Sequence, residues 1–213
     1  MHITRDRNYG GKRRSLVIVH GAPLVAEDIV ELNGVRLTSL ARTVIDLARS
    51  RPFGQAVASG DRAIAIGLDR NGLDHALIRM KRWPHVRQAR RVVAFLDGCS
   101  ESAGESLSRV RIAEDGLPAP ELQRQIIDTR GRPVGRVDFC WEDHRTVGEF
   151  DGKIKYGRLL KPGESSEDAI FAEKVREDEL RDNGWQVVRW LWSDLYRPGV
   201  IRDRLLRAFE RTS

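Results

Sequence analysis

Apolar positions along the chain follow two different patterns, one in each half. Ser15 to His20 is a short β-branched run, and Ile29 to Thr38 straddles Asn33-Gly34, a strong two-residue hairpin signal. Both predict strands of a small sheet. Ser39 then stands where it can cap a helix whose apolar positions Leu40, Val44 and Leu47 recur at helical spacing. Pro52 suits the first turn of a second helix through Val57, Ile64 and Ile66, and two more helical stretches run from Leu73 to Arg82 and from Pro84 to Leu96. This first unit ends near Asp97-Gly98.

Beyond it the order of elements changes. Glu101 to Glu114 reads as a helix stopped by Gly116 and Pro118. Three strand-like runs follow, Leu122 to Asp128, Gly135 to Trp141 and Thr146 to Asp151, separated by polar turns. A long helix over Glu167 to Asn183 ends at Gly184, Trp185 to Leu191 is a fourth strand, and Pro198 to Phe209 is a last helix. The expected architecture is α/β in the broad sense, α+β in detail: residues 1–98 as a small basic unit, and residues 99–213 as helix, three-stranded meander, helix, strand, helix.

Composition narrows the classes. With 40% hydrophobic and 32% charged residues the 213-residue chain can bury a core. No run approaches the roughly 18 to 20 apolar residues of a membrane span, and no apolar segment follows the basic Met1 to Arg14, so the expected compartment is the cytoplasm. Cys99 and Cys140 are too few for a disulfide framework or a metal knuckle and read as structural thiols. The net charge of +6 is unevenly spread: residues 1–99 carry +8 and the remainder −2. The densest run, Arg79, Lys81, Arg82, His85, Arg87, Arg90 and Arg91, is interrupted by Trp83 and Pro84. Arg79, Lys81, Arg82, Arg87, Arg90 and Arg91 are therefore candidate nucleic-acid contacts, with a solvated helix face as the plainer alternative.

Candidate chemistry lies in the meander. Asp138 interrupts the apolar strand Val137-Asp138-Phe139-Cys140-Trp141. Period-two alternation puts Val137, Phe139 and Trp141 on one face and Asp138 with Cys140 on the other. A hairpin closed symmetrically about Asp143-His144 pairs Trp141 with Thr146 and brings Asp138 opposite Glu149, with Asp151 on the same face as Glu149. Opposed carboxylates destabilise a sheet unless something compensates. Mg²⁺ or Mn²⁺ held by Asp138 and Glu149 would do so and would suit phosphodiester hydrolysis, with Lys153 placed to offset developing charge. Salt bridges to Arg136, Arg145 or Arg189 are the bland alternative.

These residues also carry a resemblance. Glu105, Gly135-Arg136-Val137-Asp138-Phe139, Val147-Gly148-Glu149-Phe150-Asp151-Gly152 and the stretch from Arg176 to Trp190 resemble the PD-(D/E)XK, or restriction-endonuclease-like, superfamily, and within it the Vsr-like group. The resemblance covers about Ser102 to Phe209. It implies a restriction-endonuclease-like core, a DNA-cleaving hydrolase, Asp138 and Glu149 as metal-binding acids, and Glu105 as a further acid reaching the site from the helix. The family's lysine two residues after the acid is replaced here by Asp151. A nuclease fold without turnover, serving as a DNA-binding or antitoxin-like regulator, is the alternative. Residues from about Ser15 to Phe95 resemble the middle region of actinobacterial relatives of the AbiEi antitoxins, chiefly in His20-Gly21-Ala22-Pro23-Leu24 and Thr38 to Arg49. That second likeness implies DNA and a cognate toxin as partners.

Overall fold

The computed structural model describes residues 1–7, 10–152 and 166–212. Two compact units divide at Leu96/Asp97, and the fold of each is α+β.

In the N-terminal unit, β1 (His2–Arg5), β2 (Lys12–Arg14) and β3 (Val17–Gly21) form a sheet in the order β1-β3-β2. β1 runs parallel to β3 and β2 antiparallel to it. The sequence pattern reveals only β3; the flanking strands are short and polar, and pairing with β3 is what makes them strands. β4 (Ile29–Leu32) and β5 (Val35–Thr38) form the expected hairpin. Asn33 and Gly34 both take positive φ, 51° and 75°, as a type I′ turn requires.

Four helices follow: α1 (Leu40–Ser50), α2 (Phe53–Ala65), α3 (Arg70–Arg79) and α4 (Val86–Phe95). Ser39 caps α1 by accepting from the Arg42 amide at 3.3 Å. The expected stripe of Leu40, Val44 and Leu47 holds in part: Val44, Ile45 and Ala48 are the buried apolar positions of α1, Leu47 is half-buried and Leu40 exposed.

Arg42 is wholly buried on α1. Its guanidinium donates to Asp46 Oδ2 at 2.7 Å, Asp28 Oδ2 at 2.7 Å and the Pro23 carbonyl at 2.8 Å. Nη2 has no hydrogen-bond partner among the described residues, but the guanidinium carbon lies 4.9 Å from the centre of the Trp83 ring, where the π face offsets part of that loss. Arg79 closes the network on the other oxygen of Asp28 at 3.0 Å.

The C-terminal unit begins with α5 (Ala103–Glu114), capped by Ser102, which accepts from the Glu105 amide at 3.2 Å. β6 (Glu121–Ile127), β7 (Pro133–Trp141) and β8 (Thr146–Asp151) then form the expected antiparallel meander. After α6 (Ser166–Asp182), β9 (Gln186–Leu191) joins β8 in parallel, giving the order β6-β7-β8-β9. A short helix the pattern does not announce, α7 (Trp192–Leu195), precedes α8 (Val200–Glu210).

The sheet has a core on each side. One gathers Phe139, Trp141, Phe150 and Trp190 with Ile112 of α5 and Ile201, Leu205 and Phe209 of α8. The other joins Val137, Cys140 and Val147 to Leu180 of α6 and Trp185. Trp190 is fully buried and satisfies its indole N–H on Ser108 Oγ at 2.7 Å. Gly148 and Gly104 are small for a steric reason. A Cβ at Gly148 would stand 2.5 Å from the Trp190 ring, and one at Gly104 2.0 Å from the Phe150 ring. Cys140 is buried, which pushes its thiol up to about 11, and Cys99 is an exposed free thiol.

Candidate functional site

Hairpin symmetry predicts the register of β7 and β8 correctly: Trp141 pairs with Thr146, Cys140 with Val147 and Phe139 with Gly148. The ladder stops there. One step further, where Asp138 would face Glu149, the Asp138 carboxylate itself takes the Phe150 amide on Oδ2 at 2.9 Å. On the other edge of β7 the ladder is also interrupted: Leu122 pairs with Phe139 and Arg124 with Val137, and Gln123 between them turns to φ 52°. A left-handed backbone costs a side-chain-bearing residue roughly 1–2 kcal/mol, and here its side chain donates to Asp138 Oδ1 at 3.4 Å and to Glu105 Oε2 at 2.9 Å.

One expectation is corrected. Alternation assigns Val137 to the face of Phe139 and Trp141, but Val137 packs in the opposite core with Cys140. Two residues of one face thus stand three apart, so the pleat slips by one at Asp138. Its carboxylate bonds at that slip replace regular pairing on both edges of the strand.

Glu149 lies in the middle of β8 and is 9% exposed. Burial, and then the charge of Asp138, push its carboxyl up to about 7, even though Arg176 and Arg189 pull the other way. Oε1 accepts from Arg176 Nη1 at 3.1 Å; among the described residues Oε2 has no hydrogen-bond partner. Arg176 of α6 is shared, for it also bonds the Arg136 carbonyl at 3.1 Å and both oxygens of Glu173 at 2.9 and 2.6 Å.

The arginines weighed as bland partners go elsewhere. Arg136 pairs with Glu101 at 2.9 Å, Arg189 with Glu173 and Glu177, and Arg145 stacks on Trp185 with its guanidinium carbon 4.2 Å from the ring centre. Arg176, the cation that does reach the site, lies 27 residues away in sequence, and no local pattern marks it.

Glu105 is drawn toward the site but is not aimed as a free acid. It is buried, takes the Ser102 hydroxyl on Oε1 at 2.6 Å and the Glu101 amide on Oε2 at 2.8 Å, and is linked to Asp138 through Gln123. Asp151 ends β8, half-buried and on the same strand face as Glu149. Lys153 lies outside the described residues. Among the described residues no group of three His, Cys, Asp or Glu is close enough to hold a metal ion. The donor chemistry at Asp138 and Glu149, hard carboxylate oxygens of which Glu149 Oε2 accepts no hydrogen bond among the described residues, fits Mg²⁺ or Mn²⁺ as a two-residue site.

The basic candidates sit in the N-terminal unit. Lys81, Arg82, Arg87 and Arg90 are exposed. Arg91 is exposed over the Phe53 ring, 5.6 Å from its centre. Arg79 is partly committed to Asp28. The connection between α3 and α4 holds Trp83, which packs against Arg42 and also Arg49, 4.8 Å from its ring centre.

Among known proteins the chain is similar to two described as uncharacterized from Mycobacterium tuberculosis, one of strain CDC 1551 / Oshkosh and one of strain ATCC 25618 / H37Rv. Each is 30% identical over 189 residues, an alignment covering 88% of this chain and 66% of the relative. The chain therefore spans just under two thirds of the length of these curated relatives. Because 189 residues exceed either unit, the similarity runs through the Leu96/Asp97 division. No family model and no solved structure matches the chain.

Proposed function

We propose that the protein is a metal-dependent endonuclease-like hydrolase of DNA phosphodiester bonds, with a restriction-endonuclease-like core in the C-terminal unit and a basic N-terminal unit that grips the backbone. One observation carries the reading. Glu149 is a nearly buried carboxylate in a central strand, beside a second carboxylate, at the place where the strand pairing opens. Burying an acid against a second, half-buried one is costly unless a cation belongs with them.

Asp138 and Glu149 would hold Mg²⁺ or Mn²⁺, which supplies polarisation of the phosphoryl oxygen and an activated water when bound. The chain's own residues prepare that place. Gln123 and the Phe150 amide fix the two oxygens of Asp138, and α6 holds Arg176 against Oε1 of Glu149. Burial beside Asp138 raises the Glu149 carboxyl to about 7, so it holds its proton more tightly than an ordinary glutamate, and a cation would compete with that proton. Asp151 assists from the end of β8, Glu105 acts through Gln123, and Lys153 is the sequence's candidate for stabilising developing charge.

A second reading has its own observation. Arg176 already places positive charge on Glu149, and a site filled by a guanidinium suits a nuclease fold kept for binding, as in an antitoxin-like regulator of DNA with a cognate toxin. Plasmid nicking with Mg²⁺, wild type beside Glu149→Ala, separates the two. Metal-dependent cleavage lost in the variant is the expected result. Absence of cleavage on duplex, single-stranded and mismatched DNA, with binding retained, leaves the regulator.

A further inference from the structure

The N-terminal unit contains a cleft of about 1110 Å³ between β1, β3, the end of α1 and the α3–α4 connection. Three arginines line it, Arg49, Arg51 and Arg82, against one acid, Asp46. Asp46 is already neutralised, one oxygen on Arg42 at 2.7 Å and the other on Arg49 at 3.1 Å. Arg51 and Arg82 are exposed and make no ion pair among the described residues, so the cleft presents uncompensated positive charge.

The walls add flat surfaces. Trp83 and Pro84 form one, and Arg49 fixes Pro84 by donating to its carbonyl at 2.8 Å. Opposing groups in the lining include the stacked imidazoles of His2 and His20, 5.1 Å between centres and joined at 2.9 Å through Nδ1 and Nε2. Partial desolvation, then the positive potential of His20 and Arg51, hold His2 below the usual imidazole range. His85, also in the lining, takes φ 61° ahead of α4.

We propose that this cleft binds a single nucleic-acid strand, with backbone phosphates on Arg51 and Arg82 and sugar or base against Trp83 and Pro84. The inference rests on the reading of the N-terminal unit as the part that grips nucleic acid, and it moves the grip from the exposed face of α4 into the cleft. Charge and flat side chains favour a strand. At about 1110 Å³ the cleft stands at the upper end of small-ligand pockets, room for more than one nucleotide. Cations with flat side chains are the usual equipment of a single-strand channel.

The test uses the full chain and fluorescence anisotropy with a labelled oligothymidylate of twelve nucleotides. Arg51→Ala with Arg82→Ala is expected to weaken binding at least tenfold and to make the salt slope shallower by about 1.4, since each single-strand phosphate contact contributes about 0.7. Arg36→Ala with Arg62→Ala removes equal charge elsewhere on the same unit and is expected to cost less than threefold. Arg51→Lys with Arg82→Lys should recover most of the affinity, which a lost fold would not allow.

Equal loss in both alanine pairs, or none in the cleft pair, overturns the cleft while the nucleic-acid reading stands. A wild type that binds no oligonucleotide at low salt overturns both. Full displacement by free thymidine monophosphate at equal nucleotide concentration, or equally tight and equally cleft-dependent binding of a hairpin duplex, also overturns the single strand as occupant.

Discussion

Each unit buries acids beside arginine, and the two solutions differ in balance. In the N-terminal unit Asp28 receives Arg42 and Arg79 on its two oxygens, and Arg42 in turn has Asp46 and a carbonyl. Each member of that network has a counter-charge within hydrogen-bond reach. In the C-terminal unit Asp138 and Glu149 share a neighbourhood in which the bonded cation is Arg176, itself divided between Glu149 and Glu173. The first arrangement is what a fold needs to bury charge. The second leaves Glu149 buried beside a like charge, and burial first, then Asp138, raise its carboxyl to about 7 against the pull of Arg176 and Arg189.

The largest effect tests the balanced network. Asp28→Ala strips a wholly buried guanidinium of one partner, and breaking a buried pair from one side costs about 3–5 kcal/mol. Urea unfolding should show the N-terminal unit losing that much. Replacement of Arg42 and Asp28 together by Met and Leu is expected to cost much less, because no wholly buried charge is orphaned: Asp46 keeps Arg49, and Arg79, which loses Asp28, reaches water. A small loss in the single variant would mean that water reaches Arg42.

The unbalanced pair behaves in the opposite sense. A carboxyl whose folded value is above its unfolded one binds its proton more tightly when folded, so stability falls as pH rises from about 4.5 to about 7 and is level above. The loss is bounded at about 3 kcal/mol, because each tenfold gain in proton affinity on folding is worth about 1.36 kcal/mol. Glu149→Gln should flatten that slope and leave the variant more stable than wild type at pH 8, measured by denaturant midpoints across pH. In the same titration millimolar Mg²⁺ or Mn²⁺ is expected to raise the wild-type midpoint above pH 7 and leave Glu149→Gln and Asp138→Asn unmoved. A slope unchanged in Glu149→Gln would assign the titration to another group.

What was legible in the sequence follows the same contrast. The strand-by-strand order of the C-terminal unit and the β7–β8 register were readable because alternation and a symmetric polar turn are local signals. The slip at Asp138 was not, since it depends on two side chains, Asp138 and Gln123, taking over backbone and cross-strand roles. Arg176 was invisible for a different reason: only the return of α6 over the sheet brings it to Glu149. In the N-terminal unit β1 and β2 escaped notice because His2–Arg5 and Lys12–Arg14 have no apolar face to announce them. The cleft that β1 helps to line could not be read before its walls were known.

The smallest effect isolates the strain at Gln123. Its left-handed backbone penalises any residue with a Cβ, while glycine adopts φ 52° freely. Gln123→Ala keeps the strain and loses the bonds to Glu105 and Asp138; Gln123→Gly loses the same bonds and releases the strain. Glycine in a strand is ordinarily the less stable choice by roughly 0.5–1 kcal/mol relative to alanine. Here the order should invert, with Gln123→Gly more stable than Gln123→Ala by about 1 kcal/mol in urea midpoints. Both variants free Asp138 Oδ1, so both should lose whatever metal-dependent stabilisation or cleavage the wild type shows, by a similar factor despite their different stabilities. If alanine proves the more stable, the turn at Gln123 is not a held conformation, and the opening of the sheet at Asp138 owes nothing to it.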